Sequence, residues 1–207
     1  GHMNKGLLVV ALTMGLANVA QAGLTTAGFE DGDLNGWALS PANEAGLYAS
    51  VESSWLAGDD RTYSAPEGQN FVQLTAGAGA GVYTVLSQSF TVKAGDQFIL
   101  SGKAAFDGND EYSEAYPHND DAYVKLSNGT TTVDLWNSNI VTVGKYASTE
   151  WQNWTTSLLA EGTYTLSFAV ANQGDNSYNS VALFDVNPVP VPNAMLLLGS
   201  GLLGLAG

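Results

Sequence analysis

Val82-Tyr83-Thr84-Val85-Leu86-Ser87-Gln88-Ser89-Phe90-Thr91-Val92 is the stretch that decides the fold. Leu86, Phe90 and Val92 share one parity, while Ser87, Ser89 and Thr91 share the other. A period of two puts the apolar side chains on one face of an extended strand and the hydroxyls on the other. Lys93-Ala94-Gly95-Asp96 then reads as a turn, and Phe98-Ile99-Leu100-Ser101-Gly102 as the returning strand. Outward from this pair, strands are expected at Gln69–Leu74, Ala122–Leu126, Thr131–Trp136, Trp151–Leu158, Thr163–Ala171 and Val181–Val186. Ser127-Asn128-Gly129-Thr130 predicts a tight hairpin, and Ala160-Glu161-Gly162 a further turn. Gly77 to Gly81 alternates Gly with Ala but lacks the Lys-Ser/Thr of a phosphate loop, so it reads as a flexible turn. No segment between 23 and 187 shows a sustained helical period with caps. Eight or more antiparallel strands in one domain predict an all-β, two-sheet antiparallel sandwich of jelly-roll type.

The flanks have a different composition. Gly1-His2-Met3 reads as a cloning remnant, Lys5 as a positive n-region and Gly6 to Ala17 as an apolar h-region. Ala20-Gln21-Ala22 obeys the small-x-small rule, which predicts a signal peptide over 1–22 cleaved before Gly23. The sandwich domain then occupies 23–187. From 188 to 207 a Pro-rich segment, Pro188-Val189-Pro190-Val191-Pro192, precedes the uncharged run Met195 to Gly207. That run is shorter than the roughly 20 residues a spanning helix needs. Its Gly199, Gly201 and Gly204 suit packing inside a membrane better than a soluble core.

Composition narrows the partners. All 20 acidic residues lie between 23 and 187, against Arg61, Lys93, Lys103, Lys125 and Lys145, and the net charge is −14. This argues against nucleic acid and anionic lipid, and is compatible with divalent cations. Cysteine is absent, so an exported domain must be stabilised by other means than disulfides.

Three groups of residues carry candidate chemistry. Gly28-Phe29-Glu30-Asp31-Gly32-Asp33-Leu34-Asn35-Gly36-Trp37 opens the domain, and Ala182-Leu183-Phe184-Asp185-Val186 closes it. A second acidic cluster runs from Asp107-Gly108-Asn109-Asp110-Glu111 to His118-Asn119-Asp120-Asp121, with oxygens at alternate positions 107, 109 and 111 but without the twelve-residue EF-hand pattern. Asp175 lies in the loop Asn172-Gln173-Gly174-Asp175-Asn176. Asp107, Asn109, Glu111, Asp120 and Asp175 are therefore candidate cation ligands, with long solvated loops as the alternative. Trp151 and Trp154 differ by an odd number, face opposite sides of a strand, and make one of them a candidate sugar platform. Catalytic constellations are absent. With no cysteine, and His118 alone apart from the leading Gly-His-Met, zinc sites and Cys–His catalysis are excluded on this reading.

The tail Val189-Pro190-Val191-Pro192-Asn193-Ala194, followed by the apolar run, resembles the sorting signal of PEP-CTERM proteins of the VPxPA type, with Asn193 where that branch has Ala and no basic cluster following. The resemblance implies export in a Gram-negative bacterium and processing by an exosortase-like protease. It also implies transient membrane contact and a final place at the cell surface or in the extracellular matrix. The opening Gly-Phe-Glu…Gly-Trp pattern, with the closing Asp185, resembles carbohydrate-binding-module-like jelly rolls. That likeness implies a structural calcium ion (Ca2+) between first and last strands, with Glu30 and Asp185 as side-chain ligands. The expected function is a non-catalytic matrix or surface protein associated with exopolysaccharide. The alternative is a carbohydrate-binding-module-like lectin, and a glycoside-active hydrolase ranks last.

Overall fold

The computed structural model describes residues 24, 27–42, 46–96 and 98–190. The signal peptide expected over 1–22 and the apolar run from Met195 lie outside the described residues. Twelve strands are present in this range. They are β1 (Ala38–Ser40), β2 (Ala49–Glu52), β3 (Ser54–Leu56), β4 (Thr62–Ser64), β5 (Phe71–Thr75) and β6 (Thr84–Val92). After them come β7 (Phe98–Asp107), β8 (Asp121–Ser127), β9 (Thr132–Asn139), β10 (Gln152–Thr155), β11 (Gly162–Ala171) and β12 (Val181–Pro190). A front sheet runs β1-β6-β11-β8-β9 and a back sheet β10-β7-β12-β5-β2, antiparallel throughout. The two-sheet sandwich expected from the alternating strands is the observed architecture.

The period of two in β6 does what it predicts. Leu86, Phe90 and Val92 enter the core, while Ser89 and Thr91 face solvent. Across the sandwich, Phe168 of β11 stacks on Phe184 of β12 with ring centroids 4.7 Å apart, and Trp37 stacks on the same Phe168 at 5.3 Å. These rings fasten the two sheets and the opening segment to one point. In the predicted hairpin, Asn128 donates its amide to Thr131 O, and its Oδ1 accepts from the amides of Thr130 and Thr131.

The outer face of the back sheet is not solvated. The β3–β4 hairpin folds over it and builds a second core from Ala57, Tyr63, Phe71, Ala105, Val181 and Leu183, with Trp55 and Trp151 packed against it. Hence Val181-Ala182-Leu183-Phe184 is apolar at every position: both of its faces are covered. Strands β1 to β4 have three or four residues each, too few for a period to show in the sequence. The same holds for the single helical turn Ile140–Val143, capped by Asn139 Oδ1 on the Thr142 amide at 3.0 Å. Strand β12 also runs beyond Asn187, paired with β7 as far as Pro190 opposite Phe98.

Candidate functional site

The opening segment reaches the last strand as a short turn, Ala27–Phe29. Gly28 has φ +81°, and a Cβ there would stand 3.5 Å from Val186 O and 3.9 Å from Asp185 Oδ1. This close approach buries Phe29 completely against Trp37 and leaves Glu30 beside β12. Glu30 accepts from the backbone amides of Gln69 (2.9 Å) and Asn70 (3.2 Å). Asp185 is 1% exposed; its Oδ1 accepts from the Val186 amide at 2.9 Å, and its Oδ2 is buried with no hydrogen-bond donor among the described residues. Burial, followed by the charges of Glu30 and Glu67, pushes the Asp185 carboxyl up to about 7. A buried carboxylate oxygen without such a donor, near enough to feel the charges of Glu30 and Glu67, is a group that a hard cation would satisfy. Asp185 therefore has an oxygen that would suit the ion the motif implies, whereas the Glu30 carboxylate already accepts from two amides; Glu67 is a charged neighbour the sequence did not single out.

The second cluster is rearranged relative to expectation. Asp107 does not act with its neighbours as a calcium loop. It is buried at the end of β7 and accepts from Trp55 Nε1 (3.2 Å) and the Gly58 amide (3.3 Å), pinning the hairpin that covers the back sheet. Asn109 donates to Asn179 O at 3.0 Å, and Glu111 is paired with Lys145. Neutral donors and a lysine thus already occupy the oxygens at 107 and 111. Asp120 is fully buried and accepts from Ser180 Oγ at 2.6 Å and the Gln173 amide at 2.8 Å. Among the described residues, the group that gathers three ligating side chains is Asp110, His118 and Asp175. Asp175 was expected there; Asp110 and His118 were not. The exclusion of zinc rested on counting Cys and His, whereas zinc also takes carboxylate oxygens beside a single imidazole.

Neither tryptophan offers an open platform. They do lie on opposite sides of the back sheet, as their spacing requires, but both sides are covered. Trp154 is 2% exposed in the main core, with Nε1 donating to Lys103 O at 3.2 Å. Trp151 packs edge-on against Tyr63 and Phe71 and donates to Ser64 O.

The front sheet's outer face presents a different aromatic pair. Tyr83 and Tyr123 have ring centroids 5.2 Å apart, tilted by 54°. Lys125 Nζ lies 4.2 Å from the centre of the Tyr123 ring. Asp121 accepts from Tyr83 Oη at 2.6 Å and from Gln173 Nε2 at 2.7 Å. Beside these groups the face is hydroxylated: Thr165 pairs with Ser89 and with Ser127, and Ser167 pairs with Ser87 and with Lys125. Parity alone signals the placement, since Asp121, Tyr123 and Lys125 alternate with the buried Ala122, Val124 and Leu126.

No family model and no curated protein matches the chain. A search of solved structures finds TmCBM61, solved in complex with β-1,4-galactotriose, at TM-score 0.50 over 81% of this chain and 97% of that one, with 16% identity. The two-sheet sandwich resembles a carbohydrate-binding-module jelly roll. Also similar are the CBM22-1 xylan-binding domain of Paenibacillus barcinonensis Xyn10C and the K3 cleaved adhesin domain of Lys-gingipain from Porphyromonas gingivalis w83. The first has 15% identity and TM-score 0.39, covering 80% of this chain and 93% of its own. The second has 13% identity and TM-score 0.47, covering 79% and 96%. At these identities the likeness concerns the fold alone.

Proposed function

We propose that the protein is a non-catalytic carbohydrate-binding domain whose glycan lies across the outer face of the front sheet. The observation that carries this reading is the Tyr83–Tyr123 pair, set among Asp121, Lys125 and Gln173 on an uncovered, hydroxyl-lined face. Pyranose rings have apolar faces that rest on aromatic planes, and their hydroxyls need fixed donors and acceptors at the edges. Asp121 and Gln173 supply both. A net charge of −14 favours a neutral polysaccharide over an acidic one. Because the similar module was solved with a galactotriose, β-1,4-galactan is the first ligand to test.

Tyr123→Ala should weaken retention on the cognate glycan by about 1–1.5 kcal/mol, close to tenfold in Kd. Leu56→Ala, on the hairpin of the opposite sheet, should leave retention unchanged. Affinity electrophoresis against a panel of neutral polysaccharides reads both. Unaltered retention in Tyr123→Ala, or no retention of the parent protein on any glycan, would overturn the reading.

Calcium at Glu30 and Asp185 belongs to the same proposal, as does export to the surface or matrix, which rests on the two flanks of the sequence. Protein recovered from the native host should begin at Gly23 and lack the apolar tail by intact mass spectrometry. A species retaining Met3 or Gly207 there would remove the export and sorting part and leave the glycan-binding part standing.

A further inference from the structure

The loop after β7 and the loop between β11 and β12 meet at the cluster that the sandwich reading leaves without a role. His118 stands between two carboxylates. Its Nδ1 is 3.3 Å from Asp110 Oδ1, and its Nε2 is 3.6 Å from Asp175 Oδ2. One ligating atom from each of the three residues lies within 4.8 Å of the others. Asp110 is 2% exposed, and its Oδ2 is buried with no hydrogen-bond donor among the described residues. Two carboxylates thus flank one imidazole, and a buried oxygen of one of them has no hydrogen-bond donor among the described residues. The arrangement is short of positive charge.

The two carboxylates meet different ring nitrogens, Nδ1 and Nε2, and one ion takes only one of them. The ligand set for a single ion is therefore one imidazole nitrogen with one oxygen each from Asp110 and Asp175, from residues whose ligating atoms lie within 4.8 Å of one another. Gly174 holds the ring in place: at φ +87° its missing Cβ would lie 2.8 Å from His118 Cδ2, so the loop backbone packs directly on the imidazole edge.

We propose that Asp110, His118 and Asp175 form a binding site for a divalent transition ion of the zinc class, distinct from the calcium position at Glu30 and Asp185. An imidazole nitrogen is a borderline ligand that suits zinc, cobalt or nickel, whereas calcium takes oxygen ligands. Such an ion would tie the β7–β8 loop to the β11–β12 loop in a protein without disulfides.

The test is isothermal titration of the full chain, stripped by chelator, with zinc alone, repeated in a large excess of calcium. One site unaffected by calcium is expected, with a rise in melting temperature on loading. His118→Ala should weaken zinc binding by about a hundredfold or more, and Asp110→Asn should also weaken it, each with an unchanged far-ultraviolet spectrum. His2→Ala and Asp59→Asn should bind zinc like the parent. Cobalt should give visible bands that vanish in His118→Ala. Zinc binding that persists in His118→Ala, or that calcium displaces, overturns the proposal. No binding at all overturns it too, and would leave His118 simply held between two aspartates.

Discussion

Stripped of calcium, the protein should melt at progressively lower temperature as pH rises from about 4 to 7, and calcium should abolish that slope near neutrality. Asp185 holds its proton up to about 7 in the fold, because burial and then Glu30 and Glu67 oppose its charge. In the unfolded chain the same carboxyl titrates near 3.9. The folded state therefore binds the extra proton in this window. Its contribution is fully present below the unfolded value and is lost as pH climbs through the folded one. About three pH units correspond to a ceiling on the order of 4 kcal/mol, or roughly 10 °C in a domain of this size. A cation replaces the proton: calcium at a hundredfold over its Kd adds about 2.7 kcal/mol above pH 7 and less below it, where protons compete. Asp185→Asn carries no titrating group, so the calcium response should disappear and the slope should become shallower, what remains coming from Asp107 and Asp120, whose carboxyls burial also raises. Asp59, hydrogen-bonded to Ser148 well away from this position, provides the control: Asp59→Asn should keep both. Scanning calorimetry at pH 4.5, 6 and 8, with calcium and with chelator, reads all of these. A flat pH profile together with identical melting in calcium and chelator would sink the account.

Gly102→Ala should abolish folding, or nearly so. Gly102 lies in β7, opposite Trp154 of β10 on one side and Val186 of β12 on the other. A Cβ at this position would overlap the Asp185 backbone oxygen and meet Trp154 Cζ2 at 2.5 Å. Neither neighbour is the free end of a flexible chain. One is the backbone of a central strand; the other is a 2% exposed ring packed edge-on against Phe168. Overpacking of this kind costs up to about 3 kcal/mol where neighbours can shift, and here they cannot. The complementary deletion, Trp154→Ala, should cost about 3–5 kcal/mol through the cavity it leaves. Denaturant midpoints and soluble yield measure both. Glycan retention per folded molecule should be unchanged in Trp154→Ala, which separates core from platform. A midpoint for Gly102→Ala equal to the parent's would show that the back sheet can open there.

Alternation made the long strands legible, because β6, β8 and β11 each have one wet face and one dry face. It could not reveal that a hairpin covers the back sheet: β3 and β4 are three residues long, and Trp55 and Tyr63 look no different from surface aromatics. Trp154 is buried in the main core and Trp151 is half-buried against the second one. Trp151 and Trp154 face opposite ways, yet a side chain that leaves the main core enters a second one. Tyr123 was readable in retrospect from its parity with Asp121 and Lys125. Tyr83 was readable in the same way, since it shares the odd parity of Ser87, Ser89 and Thr91 although β6 itself begins at Thr84. Among the acidic residues, sequence order misled. Asp107, Asn109 and Glu111 look like a ligand ladder, but β7 ends at Asp107 and each then finds its own partner. Asp110 and His118 meet Asp175 only because two loops distant in sequence fold against each other.

The placement of β12 also sets how the domain carries a mechanical load. From Val181 opposite Asp107 to Pro190 opposite Phe98, this strand is paired along its whole length with β7, and from Val181 to Phe184 with β5 as well. A pull applied at residue 190 along the strand loads those hydrogen bonds together, in shear, rather than peeling them one at a time. Resistance to such a pull depends on the barrier to unfolding rather than on equilibrium stability. An ion held between Glu30 and Asp185 would add a rivet midway along the loaded strand.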